Sequence, residues 1–362
     1  MLRAIVIGGG IAGSFISHFL QEAGVDVLMI SEKTTYPLVG LIHSMLLRFD
    51  TDMALAKRTL EIYRSLDNCC SWVLKEYPAY TFIGESVDIN KYIRLWSSYG
   101  SDSSEISIEE ASKSIGVKLM PGGRVIISKD RLVNIAGIVN HIRSRMKVIN
   151  GFARLKRDAG GFSALINGAE YRSDIIIIAA GALNGKLLGE VGVSVPLKSY
   201  GCRALLLLVG SKLDKAIIYD YVNHFYMRPA TPLTASIGDE ESPLVDPLNM
   251  PNLVTHDFIA SMKNSFKSRF GKAPISLFGR QGACESSPDM FPIIGEAAPG
   301  LYIMGALNGY GAEIGPALAE ALVSIVLGGK PRLDVNLYLL SRYVGVALPS
   351  DWGIGHEPHE VL

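Results

Sequence analysis

The chain is short of charge and has no surplus of either sign: 35 Lys+Arg balance 35 Asp+Glu, and only 19% of its 362 residues are charged. With no run of five like charges there is no electrostatic footprint for nucleic acid or an anionic membrane surface. Partners of those kinds are not expected. Long apolar runs are missing too, since the longest, Ile175 to Leu183, falls far below the ~20 residues that cross a bilayer. No transmembrane helix is expected. Between Met1 and Ala4-Ile5-Val6-Ile7 there is no room for a basic region, an apolar stretch and a cleavage site, so the expected location is the cytoplasm. The four cysteines, Cys69, Cys70, Cys202 and Cys284, form no CxxC pair and no zinc or iron–sulfur spacing. Reduced thiols are expected rather than a disulfide framework. His356 and His359 with Glu357 and Glu360 hint at a metal patch, but Pro358 interrupts any helix there and no metal site is expected. Internal repeats and low-complexity segments are also absent.

What the sequence does have is apolar material, 48% of its residues, enough for a large core. At roughly 100–200 residues per domain, the length suggests two domains, or one carrying an insertion. Arg3 to Ile7 reads as a strand, Gly8 to Gly13 as a turn, the residues to Ala23 as a helix, and Val25 to Ile30 as a second strand. This is a βαβ opening. Ile11, Phe15, Ile16, Phe19, Leu20 and Ala23 recur at helical spacing, with Gly24 as a stop. Asp50-Thr51-Asp52 is an N-cap cluster before a helical pattern from Met53 to about Glu76. From Tyr80 to Val125 short β-like runs (Tyr80 to Ile83, Arg124 to Ser128) alternate with a polar helix, Ile108 to Ile115, around Pro121-Gly122-Gly123. A helix is expected from Leu132 to Met146 and a strand at Lys147 to Ile149. The all-apolar Ile175 to Ile178 reads as a parallel strand buried on both faces. Residues 196–281 carry many short strand-like runs and suggest a mainly antiparallel second domain. Leu301 to Met304 returns as an apolar strand, followed by a glycine loop and a helix from about Glu313 to Leu327. The expected fold is therefore α/β: a Rossmann-like dinucleotide-binding domain over 1–79, 129–195 and 282–346, a mainly antiparallel β (α+β) domain over 80–128 and 196–281, and a tail at 347–362.

The glycine turn carries the chemistry. In Gly8-x-Gly10-x-x-Gly13 the first glycine permits the tight turn, the second lets backbone approach a pyrophosphate, and the third lets helix and strand pack closely. Glu32 closes the second strand nineteen residues after Gly13 (32 − 13), where an acid hydrogen-bonds ribose hydroxyls. NAD and FAD both fit such a unit. A second glycine loop, Gly305-Ala306-Leu307-Asn308-Gly309-Tyr310-Gly311, lies between strand and helix and lets backbone come close to a large planar ligand. The helix after it would aim its positive end at that ligand, which suits a reduced flavin.

Taken together these segments resemble the FAD-dependent amino-acid and amine oxidoreductases of the D-amino-acid oxidase, glycine oxidase and sarcosine oxidase group. The resemblance rests on Gly8 to Gly13 with Glu32, on a loop around Gly40 to Arg48 running into Leu55-Ala56-Lys57-Arg58-Thr59-Leu60-Glu61, and on Ala179-Ala180-Gly181. It continues through Ser287-Pro288-Asp289-Met290-Phe291-Pro292-Ile293-Ile294-Gly295 and closes with Gly305 to Gly315 and Arg342-Tyr343. It implies FAD, non-covalently held, beside a substrate domain, and oxidation of a CH–NH bond in an amino acid or small secondary amine by hydride transfer to flavin N5. Proline, sarcosine or glycine would be typical substrates, the imine product would hydrolyse in water, and the reduced flavin would need an acceptor. The implied cofactor contacts are Gly8, Gly10, Ile11, Ala12, Gly13, Glu32, Lys33, His43, Ala180, Gly181, Gly305, Asn308, Gly309, Tyr310, Gly311 and Ala312.

Departures from the family pattern qualify the substrate. The arginine that often stands three residues before the Ser/Thr of the Pro-Asp motif is here Cys284, so a bidentate carboxylate anchor is missing. The lysine of sarcosine-oxidase-like members is replaced by Glu313, which would repel a carboxylate. Cys284-Glu285 instead is similar to a Tyr-Glu pair of proline- and sarcosine-dehydrogenase-like relatives. Gly282 stands where some relatives attach flavin through cysteine, and His43 where others attach it through histidine. Arg48 is the first candidate to replace the anchor and Arg228 the second. Tyr219, Tyr221, His224 and Tyr226 lie on strands of the substrate domain, where alternation turns only some inward. The catalytic candidates are Arg48, Glu313 and Tyr226. Oxidation of a 2-hydroxy acid or polyol phosphate, and a FAD-holding subunit of a larger dehydrogenase, stay open as alternatives. A nicotinamide dehydrogenase would leave the second glycine loop unexplained. The electron acceptor and any homo- or hetero-oligomer are left open.

Overall fold

A computed structural model describes residues 2–32, 40–42, 49–98, 100, 102–239, 241, 243–348 and 352. Two large sheets organise it. The first has six strands in the order Ile293–Ala298, Leu301–Gly305, Ile175–Ile178, Arg3–Ile7, Asp26–Ser31, Lys147–Asn150. All neighbours are parallel except the first pair, so the two ends of the chain meet in one sheet. Burial on both faces explains the run of four isoleucines at Ile175–Ile178. One face packs under the helices Ile11–Glu22, Ile135–Arg143 and Gly315–Val326, through Phe15, Ile16, Leu20, Ile138, Leu318 and Leu322. The other is covered by a three-stranded antiparallel sheet, Arg154–Asp158, Gly161–Ile166 and Ala169–Arg172, which lays Leu155, Ala164 and Ile166 on Ile5, Ile7, Ile176 and Ile178.

The second sheet has nine strands. Its main path runs Ile275–Ser286, Lys198–Leu208, Thr234–Gly238, Phe225–Pro229, Ile217–Asp220, Leu74–Ile83, Arg124–Val133, Gly40–Ile42, with Ser104–Ile106 beside Arg124–Val133. It is antiparallel except where Ile217–Asp220 meets Leu74–Ile83. Pleat alternation gives each strand two destinations. Ile218, Phe225, Met227, Leu205 and Leu207 point outward onto the helices His256–Phe270 and Ile108–Ile115. Ile217 and Tyr219, with Tyr226 beside them, point inward to the core shared with the first sheet.

Several expected elements differ. The helix expected to reach Glu76 spans Asp50–Ser65, because Leu74–Ile83 is claimed by a ten-pair ladder with Arg124–Val133. Non-local pairing there overrides local pattern. Likewise the strand runs through Leu132 and Val133, and the following helix starts only at Ile135, where Asn134 caps it by accepting from the Gly137 amide at 3.0 Å. The C-terminal helix begins at Gly315 rather than Glu313. The strands Leu74–Ile83, Arg124–Val133 and Ile275–Ser286 each run across a residue expected as a domain boundary. No helix among the described residues is long and apolar enough to cross a membrane.

Candidate active site

Arg3–Ile7 delivers the chain to a turn that only glycine can make. Gly8 has φ +119°, and a Cβ there would stand 2.0 Å from the Ala179 carbonyl oxygen. A Cβ on Gly13 would stand 1.9 Å from the Gly8 carbonyl oxygen. The two glycines thus let helix, turn and neighbouring strand touch through backbone. Gly10 caps the helix Ile11–Glu22 without a side-chain bond, and no acid occupies the first turn. The amides of that turn are therefore presented to an anion. Arg143 braces the turn from behind, donating from Nη1 to Gly9 O at 3.3 Å and to Ser31 Oγ at 3.0 Å. Glu32 follows Ser31, exposed at the strand end.

These residues form one wall of a cleft of about 510 Å³. Gly8, Gly10, Ile11, Ala12 and Glu32 line it with Ala180, Gly181, Gly305, Asn308, Gly309, Gly311 and Ala312, bringing most of the expected cofactor contacts together. Two expected contacts are elsewhere. Gly13 sits behind the turn, and Tyr310 is fully buried in the core under the loop. Lys33, His43 and Arg48 lie outside the described residues.

The second glycine loop is held in an unusual shape. Ala306 and Asn308 take positive φ values of 51° and 41°, and Gly309 takes 86°. Side chains from distant elements hold the loop there. Tyr200 Oη donates to Asn308 Oδ1, Asn308 Nδ2 donates to Met290 O at 3.1 Å, and Tyr63 Oη donates to Ala312 O at 2.7 Å. Glu285, buried at the end of its strand, accepts the Ala306 amide at 3.0 Å. Asn184 ties the same carboxylate to the first sheet: its Nδ2 donates to Glu285 Oε2 at 2.8 Å and its Oδ1 accepts the Ala180 amide at 2.7 Å. Gly305 is needed beside them, since a Cβ there would lie 2.4 Å from Asn184 Nδ2 and 2.6 Å from Glu285 Oε2. Burial pushes the Glu285 carboxyl up to about 7, against the Ala306 and Asn184 bonds that favour its charged form. Sequence reasoning missed Asn184 entirely and noted Glu285 only as a neighbour of Cys284; neither belongs to a motif with diagnostic spacing.

The expectation of reduced thiols is corrected for one pair. Cys202 and Cys284 are joined by a disulfide, with Cα atoms 5.8 Å apart on adjacent strands. They are 82 residues apart, and only the pairing of Lys198–Leu208 with Ile275–Ser286 makes them neighbours. Cys69 and Cys70 are thiols, and burial pushes the Cys69 thiol up to about 12.

Neither Tyr226 nor Glu313 lines the cleft itself. Both belong to the layer where the inner face of the nine-stranded sheet meets the C-terminal loop. Tyr219 is buried there and donates to Asp130 Oδ2 at 3.0 Å. Burial, then the charges of Asp130 and Glu313, raise its hydroxyl well above the usual range. Arg228, two residues along the strand from Tyr226, is only half-buried, yet burial lowers its guanidinium from its ordinary value, against the favourable fields of Tyr226 and Tyr219. Glu313 is fully buried. One layer thus holds a cation, two acids and three tyrosines, counting Tyr221.

A dinucleotide fits the cleft. Its volume lies in the range of cofactor pockets, its walls are backbone where side chains would collide, and helix amides and an acid share one of those walls. Together with the layer of charges above, the fold defines a dinucleotide-dependent enzyme built of a cofactor sheet and a second, antiparallel sheet. The family model for FAD dependent oxidoreductases, DAO, matches residues 3–325, and the chain belongs to that family. Solved structures share the fold. L-proline dehydrogenase from P. horikoshii superposes with a TM-score of 0.83 at 17% identity, over 96% of this chain and 99% of that one. Glycine oxidase from Geobacillus kaustophilus gives 0.78 at 17%, over 94% and 99%. L-amino acid deaminase from Proteus vulgaris gives 0.78 at 18%, over 94% and 97%. No curated protein sequence matches the chain.

Proposed function

We propose that this FAD-dependent oxidoreductase oxidises the C–N bond of a small α-amino acid, primary or secondary. The observation that carries the reading is that groups of opposite charge gather around one buried tyrosine: Arg228 acts on Tyr219, and so do Asp130 and Glu313. An amino acid is a zwitterion, and such a layer complements both its ends. Arg228 would take the carboxylate in place of the anchor lost at Cys284, and the acids would draw the ammonium and its proton. The structures named above that share the fold include enzymes described as acting on amino acids, which agrees with the reading.

FAD would lie along the cleft, its pyrophosphate on the amides of Gly10, Ile11 and Ala12, its ribose on Glu32, and its ring beside Gly305, Asn308, Gly309, Gly311 and Ala312. When bound it supplies the hydride acceptor. The protein's part is to hold the substrate's C–H against that acceptor, keep the amine neutral, and exclude water from the layer. The test is the visible spectrum of the FAD-loaded protein, recorded anaerobically with glycine, sarcosine or proline, each beside its decarboxylated counterpart. At least one amino acid should bleach the flavin and its decarboxylated partner should not. Arg228→Gln should stay yellow and need about ten- to hundredfold more amino acid, the worth of a lost charge-assisted bond. Equal bleaching by proline and pyrrolidine, or an unchanged requirement in the variant, would remove the carboxylate-anchor reading.

A further inference from the structure

The nine-stranded sheet brings the Cys202–Cys284 disulfide to the cofactor cleft, a feature the proposed reaction leaves unused. Cys284 lines the cleft between Ala283 and Glu285, as do Met304 to Asn308. Its position relative to that loop is fixed by the next residue, because Glu285 accepts the Ala306 amide at 3.0 Å. Both cysteines are half-buried, neither sealed in the core nor fully exposed. The bond is also redundant as a fastener: its two strands are already joined by a ladder from Lys198 opposite Ser286 to Leu208 opposite Ile275, broken by one bulge between Leu206 and Leu207. Elsewhere the chain keeps its cysteines as thiols, so this is a single placed disulfide and not part of a cross-linked framework.

We propose that Cys202–Cys284 is a second redox centre, taking electrons from the reduced cofactor and passing them to an external disulfide. The inference rests on FAD lying in the cleft as described. In the first step the S–S bond breaks. Its two sulfurs take one electron pair and two protons, one proton released by the reduced cofactor and one from solvent, while the cofactor returns to its oxidised form. In the second step one thiolate attacks an external disulfide; the mixed disulfide is resolved by the other cysteine, the internal bond re-forms, and two external thiols leave. Two electrons enter and two depart per cycle. This arrangement gives the enzyme a route for reoxidation through thiol–disulfide chemistry.

The test is an anaerobic titration of the FAD-loaded protein with dithionite, with the cysteines alkylated afterwards and counted by mass. The wild-type protein should take four electrons per FAD, and alkylation should reach Cys202 and Cys284 as well as Cys69 and Cys70. The variant Cys202→Ser with Cys284→Ser should take two. Two electrons per FAD in the wild type, with Cys202 and Cys284 protected, overturns the proposal, and that measurement decides without the variant. Equal alkylation of the FAD-free protein after the same treatment also overturns it, since the sulfurs would then be reduced directly from solution. A protein that binds no FAD would instead refute the cofactor reading of the cleft, which the spectrum reports before any titration begins.

Discussion

Replacing Glu285 by glutamine tests whether the joint between the two sheets is governed by burial of a carboxyl group. Burial lifts that group from an ordinary 4.5 to about 7, and at about 1.4 kcal/mol per pH unit the difference is worth roughly 3 kcal/mol. Between those values the folded protein holds a proton that the unfolded chain has released. The folded state therefore binds more protons, and stability falls as pH rises through this window. The stabilising contribution is complete below the unfolded value and gone above about 7. Glutamine does not titrate, and its carbonyl oxygen can still accept from Ala306 and Asn184, both of which donate to the same oxygen, Oε2. Urea unfolding of both proteins, at one fixed FAD concentration from about pH 5 to pH 8, isolates the effect in their difference. The variant should gain on the wild type by roughly 3 kcal/mol across the range. A constant difference would show that the carboxyl is already ionised at pH 5, and the argument from burial would fail.

Two further outcomes follow from the packing. Gly13→Ala places a Cβ 1.9 Å from the Gly8 carbonyl oxygen, a backbone atom that cannot move aside, so FAD retained per chain after desalting should fall to near zero. Gly189→Ala, where nothing lies within 4 Å, should retain FAD as the wild type does. In the outer core Arg269 and Asp220 form a fully buried ion pair, Nε to Oδ2 2.5 Å and Nη2 to Oδ1 3.1 Å. Asp220→Asn leaves the buried guanidinium uncompensated and should cost about 3–5 kcal/mol by urea unfolding. A loss under about 1 kcal/mol would mean that the Met120 and Gly122 carbonyls, which Arg269 also meets, suffice to hold the charge.

What the sequence made legible is what depends on neighbours in sequence. The turn Gly8 to Gly13, the acid at Glu32 and the buried strand Ile175–Ile178 are local patterns, and so is the helix Ile108–Ile115, where Ser107 accepts the Glu110 amide and Glu110 accepts the Ser107 amide. Elements that depend on distant partners were not legible. Leu74 to Glu76 reads as the end of a helix until Arg131 to Val133 is there to pair with it. Nor does spacing reveal that Asn184 holds Glu285, or that Cys202 reaches Cys284, because each joins segments that only the finished sheets bring together. Tyr310 shows a subtler failure. It stands in the middle of a cofactor loop by sequence, but the left-handed residues around it turn its ring into the core.

The strand order of the first sheet also constrains how the protein can be made. Leu301–Gly305 is inserted between Ile175–Ile178 and Ile293–Ala298, so the cofactor sheet is completed by a strand that leaves the ribosome long after Ile175–Ile178. Until Gly305 has emerged, Ile175–Ile178 is an edge of four isoleucines with nothing beside it on one flank. Bare apolar edges recruit other strands, including those of sister chains on the same message. While the last five strands of the nine-stranded sheet, from Lys198–Leu208 to Ile275–Ser286, are being synthesised, the nascent chain therefore carries this edge uncovered, and interrupted translation in this region would leave it so permanently.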